Sequence, residues 1–320
     1  MDTPSHHGVC SPRSAVARAR LAVIAAAVLW STSGLFMKAT LFHDWPEEQR
    51  GLLMAFWRAL FGGLVLLPTV RRPRWRPMLV PMALSFAVMS ATYLSAVVFT
   101  TAANAIWLQM TAPAWVMLVG VLFLGERPAM AERVQFAFGA AGVGVILFSL
   151  QSATAELPRN GLGVALALFT GLAYAGVVMF LRRLREENAA WLIALNLLTT
   201  AALLLPYVVF VAVGYGRFPS LVQLCVLAAF GGLQIGVPYL LFAYGLKRVP
   251  SQEAAGLALL EPILTPLWVV LAWGEKPSSA TIVGACLILA GFVVRYLPRT
   301  PQPAESNEPP DRITPPDRGA

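Results

Sequence analysis

Apolar residues run along this chain in continuous blocks of about 20, separated by short segments that hold most of the Arg, Lys, Gly and Pro. An α-helix needs a block of that length to cross a hydrocarbon core about 30 Å thick, whereas a membrane β-barrel would show alternating segments of about 10. Ten blocks read as helices, at about 20–38, 51–70, 78–99, 104–124, 133–151, 161–181, 189–213, 220–246, 253–273 and 279–297. Together they predict an all-α integral membrane protein with ten transmembrane helices. The remainder is a polar N-terminal segment at 1–19, short loops, a linker at 152–160 and a tail at 298–320. The tail is rich in Pro, Asp, Glu and Arg, a composition that predicts disorder.

Composition agrees. Of 320 residues, 58% are apolar and 12% charged, with a mean hydropathy of +0.67. A soluble domain carries about 45–50% apolar and about 25% charged residues, so a soluble enzyme, a disordered chain and a collagen-like fibre are excluded. Arg13, Arg18 and Arg20 ahead of the first block resemble a secretory signal, but nine more spans follow and the run is long, so it reads as an uncleaved span. Cys10, Cys225 and Cys286 are too far apart for a disulfide framework or a metal spacing.

The net charge of +8 gains its meaning from where the cations sit. With the N-terminus inside, eighteen of the 24 Lys and Arg fall in inside segments. Five, Lys38, Arg50, Arg159, Arg217 and Lys276, fall outside, and Arg58 lies within a span. Positive charge marks the cytoplasmic side, so both termini are expected in the cytoplasm of a multi-pass cell-membrane protein. The charge reports topology, and no nucleic-acid partner is expected.

Residues 105–145 repeat at 254–294 with a constant offset. Pro113 meets Pro262, Gly125-Glu126 meets Gly274-Glu275, Pro128 meets Pro277 and Gly142 meets Gly291. Earlier, Leu66-Leu67-Pro68 resembles Leu204-Leu205-Pro206, which sets Arg58 opposite Asn196. Each half then holds five helices, 20–151 and 161–297. An odd number makes the repeats inverted, with a substrate site expected near the midplane between them.

Two five-helix halves, each with a Pro-containing fourth helix that runs into Leu124-Gly125-Glu126-Arg127-Pro128 or Trp273-Gly274-Glu275-Lys276-Pro277, resemble the EamA-type branch of the drug/metabolite transporter superfamily. The resemblance covers about residues 20–297. It implies a ten-helix bundle of the plasma membrane that moves small organic solutes, often exporting amino acids, metabolites or drugs.

Intramembrane polar side chains are costly and each needs an account. Glu261 is the one acid well inside a span, and Leu257, Thr265 and Trp268 share its helix face, while the matching stripe of the fourth helix is apolar. Two readings stand: a cavity carboxylate that exchanges a proton or meets a substrate ammonium, or a group that satisfies carbonyls freed by Pro262 and Pro266. Arg58 could pair with a substrate carboxylate or with Glu261, or bond to carbonyls or snorkel. Ser90 and Tyr93 share a face and map onto Tyr239 and Phe242, and Trp30 maps onto Tyr174. Each alone reads first as core packing. As a set with Trp107, Gln109, Gln234, Glu261, Thr265 and Trp268 they compose an apolar pocket with a few polar groups, as small-molecule sites do.

Pro113, Gly125, Glu126, Pro262, Gly274 and Glu275 read as structural positions: Pro113 and Pro262 lie within the fourth helices, and in the Gly-Glu-basic-Pro corners Gly ends one helix, Pro128 or Pro277 precedes the next, and Glu126 and Glu275 anchor the loop. Gly139, Gly142, Gly284 and Gly291 would let helices approach closely, within one chain or between two, which leaves a homodimer open. The histidines, His6, His7 and His43, lie outside the spans, and no Asp lies within one. There is no Ser-His arrangement, metal motif or GxxxxGK[ST] loop, so neither an intramembrane enzyme nor ATP-driven transport is expected, and no metal or cofactor. A channel or a scaffold is the alternative, which inverted repeats with matching prolines disfavour.

Overall fold

The computed structural model describes residues 12–71, 73–149, 159–216 and 218–296. Most of the expected N-terminal segment, nearly all of the linker and the expected disordered tail lie outside them, as do Cys10, His6 and His7. Among the described residues, ten helices are long and apolar enough to span a bilayer: α1 (Ala15–Met37), α2 (Glu47–Thr69), α3 (Leu79–Phe99), α4 (Ala102–Phe123), α5 (Met130–Ser149), α6 (Asn160–Arg183), α7 (Ala189–Gly214), α8 (Leu221–Leu246), α9 (Ser251–Trp273) and α10 (Ser279–Tyr296). The sequence bounds hold within a few residues except at the start. The first helix begins at Pro12, because polar turns with good helix formers extend past the apolar stretch that hydropathy detects.

Packing follows a pseudo-two-fold axis between the halves. α3 lies on α6 as α8 lies on α1, α2 packs on its own mate α7, and α5 on its mate α10. The α5/α10 crossing tests the register of the repeat directly. Gly142 faces the Gly284 backbone, and the contact that symmetry derives from it, Gly291 against the backbone of Gln135, is also made. The two halves are thus inverted repeats packed face to face. Of the four small residues singled out, Gly142, Gly284 and Gly291 serve contacts within the chain, while Gly139 faces open space.

Both fourth helices are broken at one repeat position. α4 is interrupted at Met110–Thr111 and α9 at Leu259, each shortly before its proline, Pro113 or Pro262. A proline lacks the N–H that would continue the ladder, so the turn before it loosens. Both helices end at a glycine in the left-handed region, Gly125 at φ 65° and Gly274 at φ 70°, a conformation that costs a residue with a Cβ. Glycine is the residue type that adopts this conformation without strain.

α8 carries a different irregularity, a π segment at Gly232–Gly236 directly before Pro238. The wide turn absorbs the missing N–H of that proline, and the glycines let α8 close on α2, where Gly231 lies against the Arg58 carbonyl and the Gly62 nitrogen.

Candidate functional site

A cavity of about 620 Å³ lies between the repeats. Its inner end is walled by Trp30 and Ser33 of α1, Arg58 of α2, Ser90 and Tyr93 of α3, Tyr174 of α6, Asn196 of α7, Gln234 and Tyr239 of α8 and Glu261 of α9. Its mouth is lined by Glu126, Arg127, Glu132, Arg182, Arg295 and Tyr296, at the ends of α4, α6 and α10 and the start of α5. These ends share one face of the bundle, the face with most of the cations. The repeat mates Trp30 and Tyr174, Arg58 and Asn196, Ser90 and Tyr239, and Tyr93 and Phe242 all line this space, so the pseudo-axis runs through it.

The walls are aromatic and fixed. Trp30 meets Tyr239 and Phe242 with centroids 5.2 Å away in each case. The Gln234 amide donates to the Trp30 carbonyl at 2.9 Å, held there by the π segment. Tyr93 hydroxyl and Ser33 Oγ are hydrogen-bonded at 3.1 Å. Thr32 and Ser31 return their hydroxyls to Leu29 and Val28 carbonyls, which interrupts α1 beside the cavity.

Several polar atoms along this wall are unsatisfied. Arg58 is 9% exposed, and its Nε has no hydrogen-bond partner among the described residues, nor do Asn196 Oδ1 and Gln234 Oε1. The guanidinium stands over the Phe230 ring at 5.4 Å. It therefore does not snorkel to an interface, and among the described residues its Nε bonds no carbonyl. Glu261 makes no ion pair or side-chain hydrogen bond with a described residue, so it does not satisfy the carbonyls near Pro262 and Pro266; its own carbonyl accepts from Thr265 Oγ1 at 2.8 Å. Arg58 and Glu261 both line the cavity and form no salt bridge with each other. An isolated charge at bilayer depth costs about 2.5–3.5 kcal/mol on insertion scales, so an unpaired cation and an unpaired acid around one cavity call for a ligand or solvent between them.

Of the sequence candidates, Glu261, Trp30, Ser90, Tyr93, Gln109, Tyr174, Gln234 and Tyr239 line the cavity. Trp107, Thr265 and Trp268 do not. Trp107 is 5% exposed in the core, in the half of α4 that precedes its break. Thr265 is fully buried, and Trp268 donates its indole N–H to Ser31 Oγ at 2.8 Å. Both share a helix face with Glu261 but do not border the cavity. Of the corners, Pro113 and Glu126 reach the cavity.

The opposite end is sealed. Lys38 and Glu275 form an ion pair at 2.7 Å, Glu275 also accepts the Ala102 N–H at 2.8 Å, and Lys38 donates to the Thr100 carbonyl at 2.9 Å. Trp273 donates to the Leu35 carbonyl, and Asn104 accepts from Thr281 at 2.7 Å. Lys38 and its partner were missed as a pair because they are distant in sequence.

The EamA-like transporter family matches this chain twice, at residues 17–148 and 161–297, one match per repeat. The chain belongs to the EamA-like transporter family. It is 30% identical over 278 residues to an uncharacterized transporter of Archaeoglobus fulgidus, covering 86% of this chain and 95% of that one. It is 26% identical over 299 residues to the uncharacterized transporter YwfM of Bacillus subtilis, covering 89% and 96%. A crystal structure of a protein 23% identical superposes with a TM-score of 0.58 over 87% of this chain and 96% of its own, which shows a shared fold. This EamA-like transporter is thus a multi-pass membrane protein whose cavity opens on its basic face.

Proposed function

We propose that this chain moves small organic solutes, such as amino acids, metabolites or amine drugs, out of the cytoplasm by alternating access, as a secondary active or facilitative carrier. The observation that carries the reading is a cavity between inverted repeats, open at one face and closed at the other, with Arg58 and Glu261 unpaired beside it. Aromatic side chains from both halves supply apolar contact, and a few polar groups fix orientation. The basic face is then cytoplasmic, with both termini there in the inner or plasma membrane, because loop cations collect on that side.

The two charges favour a solute that carries both an anionic and a cationic group. A carboxylate would meet the Arg58 guanidinium and an ammonium would meet Glu261, each replacing water lost on entry. Glu261 is also the candidate for proton coupling. When the substrate leaves, a proton can take the place of its ammonium and keep the carboxyl from being an uncompensated buried charge.

Radiolabelled efflux from proteoliposomes with an imposed pH gradient, across a panel of amino acids, carboxylates and cationic drugs, tests this. Saturable flux of zwitterions that responds to the gradient supports it. Flux confined to solutes bearing neither charge would refute the roles given to Arg58 and Glu261.

A further inference from the structure

On the alternating-access reading above, we propose that Glu126 and Arg182 form the cytoplasmic gate, as the repeat-related counterpart of the Lys38–Glu275 pair that closes the opposite face. The observed seal is specific. Glu275, in the corner after α9, receives both the Lys38 ammonium and the Ala102 N–H at the start of α4, so it ties the second repeat to two elements of the first. The pair is partly shielded, with side-chain exposures of 16% and 23%, which strengthens it over a surface ion pair.

The symmetry of the molecule carries these contacts to the other face. The register that relates Gly142 to Gly291 turns Glu275 into Glu126 and Ala102 into Ser251, the first residue of α9. The register that relates Trp30 to Tyr174 turns Lys38 into Arg182. An acid, a base and a helix-start N–H thus recur where the operation sends them.

A second contact behaves alike. On the closed side Gly34 lies against Val269, where a Cβ on Gly34 would come within 2.6 Å of Val269 Cγ2. Their mates are Val178 and Gly120, again one valine and one glycine with the roles exchanged. In the present state Val178, Glu126 and Arg182 line the open mouth, and Glu126 and Arg182 make no ion pair with each other. The Glu126 carboxylate folds onto its own helix and covers the bare face of Gly120.

Closure on the basic face brings Val178 onto Gly120, expels the Glu126 carboxylate, and lets it take the Arg182 guanidinium and the Ser251 N–H. Each ion pair forms only when the other is broken. An asymmetry remains, because Trp273, which adds an indole bond on the sealed side, has Leu124 as its mate. The state with the basic face open is therefore favoured at rest.

The test needs no solute. Cys10, Cys225 and Cys286 are replaced by Ser, Ser90→Cys reports from the cavity, and a membrane-impermeant maleimide is applied from either side of oriented vesicles. The parent protein should label faster from the basic face. Glu275→Gln should raise labelling from the opposite face several-fold, whereas Glu126→Gln and Arg182→Gln should lower it several-fold. Glu126→Arg and Arg182→Glu should each lower it, and their combination should restore it. Labelling from the basic face, retained in every variant, reports an intact fold. Unchanged labelling in Glu275→Gln, or a combination no better than the single variants, would overturn the gate. A failed exchange of charges with saturable transport intact would remove the gate and leave the carrier; a successful exchange without transport would do the reverse.

Discussion

Gly142 and Gly284 meet backbone to backbone where α5 crosses α10. A Cβ on Gly142 would stand 2.6 Å from the Gly284 carbonyl oxygen, and one on Gly284 would stand 2.7 Å from that of Gly142. In a bilayer, helices gain little from excluding lipid, so close packing and small residues hold such a crossing. Because the clash is with backbone, no rotamer change relieves it.

Gly142→Val and Gly284→Val should each destabilise the bundle by about 1–3 kcal/mol, the usual cost of overpacking. Gly139→Ala, one turn away and facing open space, should be neutral or slightly stabilising through helix propensity. Thermal unfolding in detergent measures all three. Equal melting temperatures for Gly142→Val and the parent would contradict the contact.

Glu261→Gln keeps the shape of the side chain and removes its charge. Transport should lose its response to a pH gradient and its preference for solutes with an ammonium group, while melting temperature stays near that of the parent. Efflux rates at several pH values check this. A Gln variant with the parent's pH profile would end the coupling role.

Arg58 has the complementary part. Arg58→Met should weaken affinity for carboxylate-bearing solutes tenfold or more, equivalent to about 1.4 kcal/mol, and spare solutes that carry only an amine. Arg58→Lys should recover part of the loss, since an ammonium keeps the charge but not the planar fork. Competition for uptake between matched carboxylates and amines separates the two outcomes. A uniform loss for both would make Arg58 a packing residue over Phe230.

The fold was legible because its signals are physical constraints with few solutions. A span needs about 20 apolar residues, an inverted repeat needs an odd helix count, and Gly125 and Gly274 stand where the chain must take a positive φ. Cavity-lining residues with intramembrane polarity or repeat mates, such as Glu261, Gln234, Trp30 and Tyr174, stand out in the sequence for the same reason. Trp107, Thr265 and Trp268 were not separable from them, because helical periodicity gives a face but not the depth at which a cavity ends. The Lys38–Glu275 seal was out of reach, since 237 positions separate the partners and only the folded bundle joins them. The π segment that aims Gln234 also left little trace, as Gly232, Gly236 and Pro238 are ordinary residues for a membrane helix.

Counterflow in proteoliposomes tests the carrier reading most directly. Vesicles loaded with an unlabelled zwitterion that the efflux panel shows to be moved are diluted into a trace of the same labelled solute. A carrier that exposes one cavity to each side in turn should accumulate label transiently above equilibrium, with saturation at high solute. Flux that rises linearly with concentration and ignores the solute inside would mean a continuous pore, and would contradict alternating access.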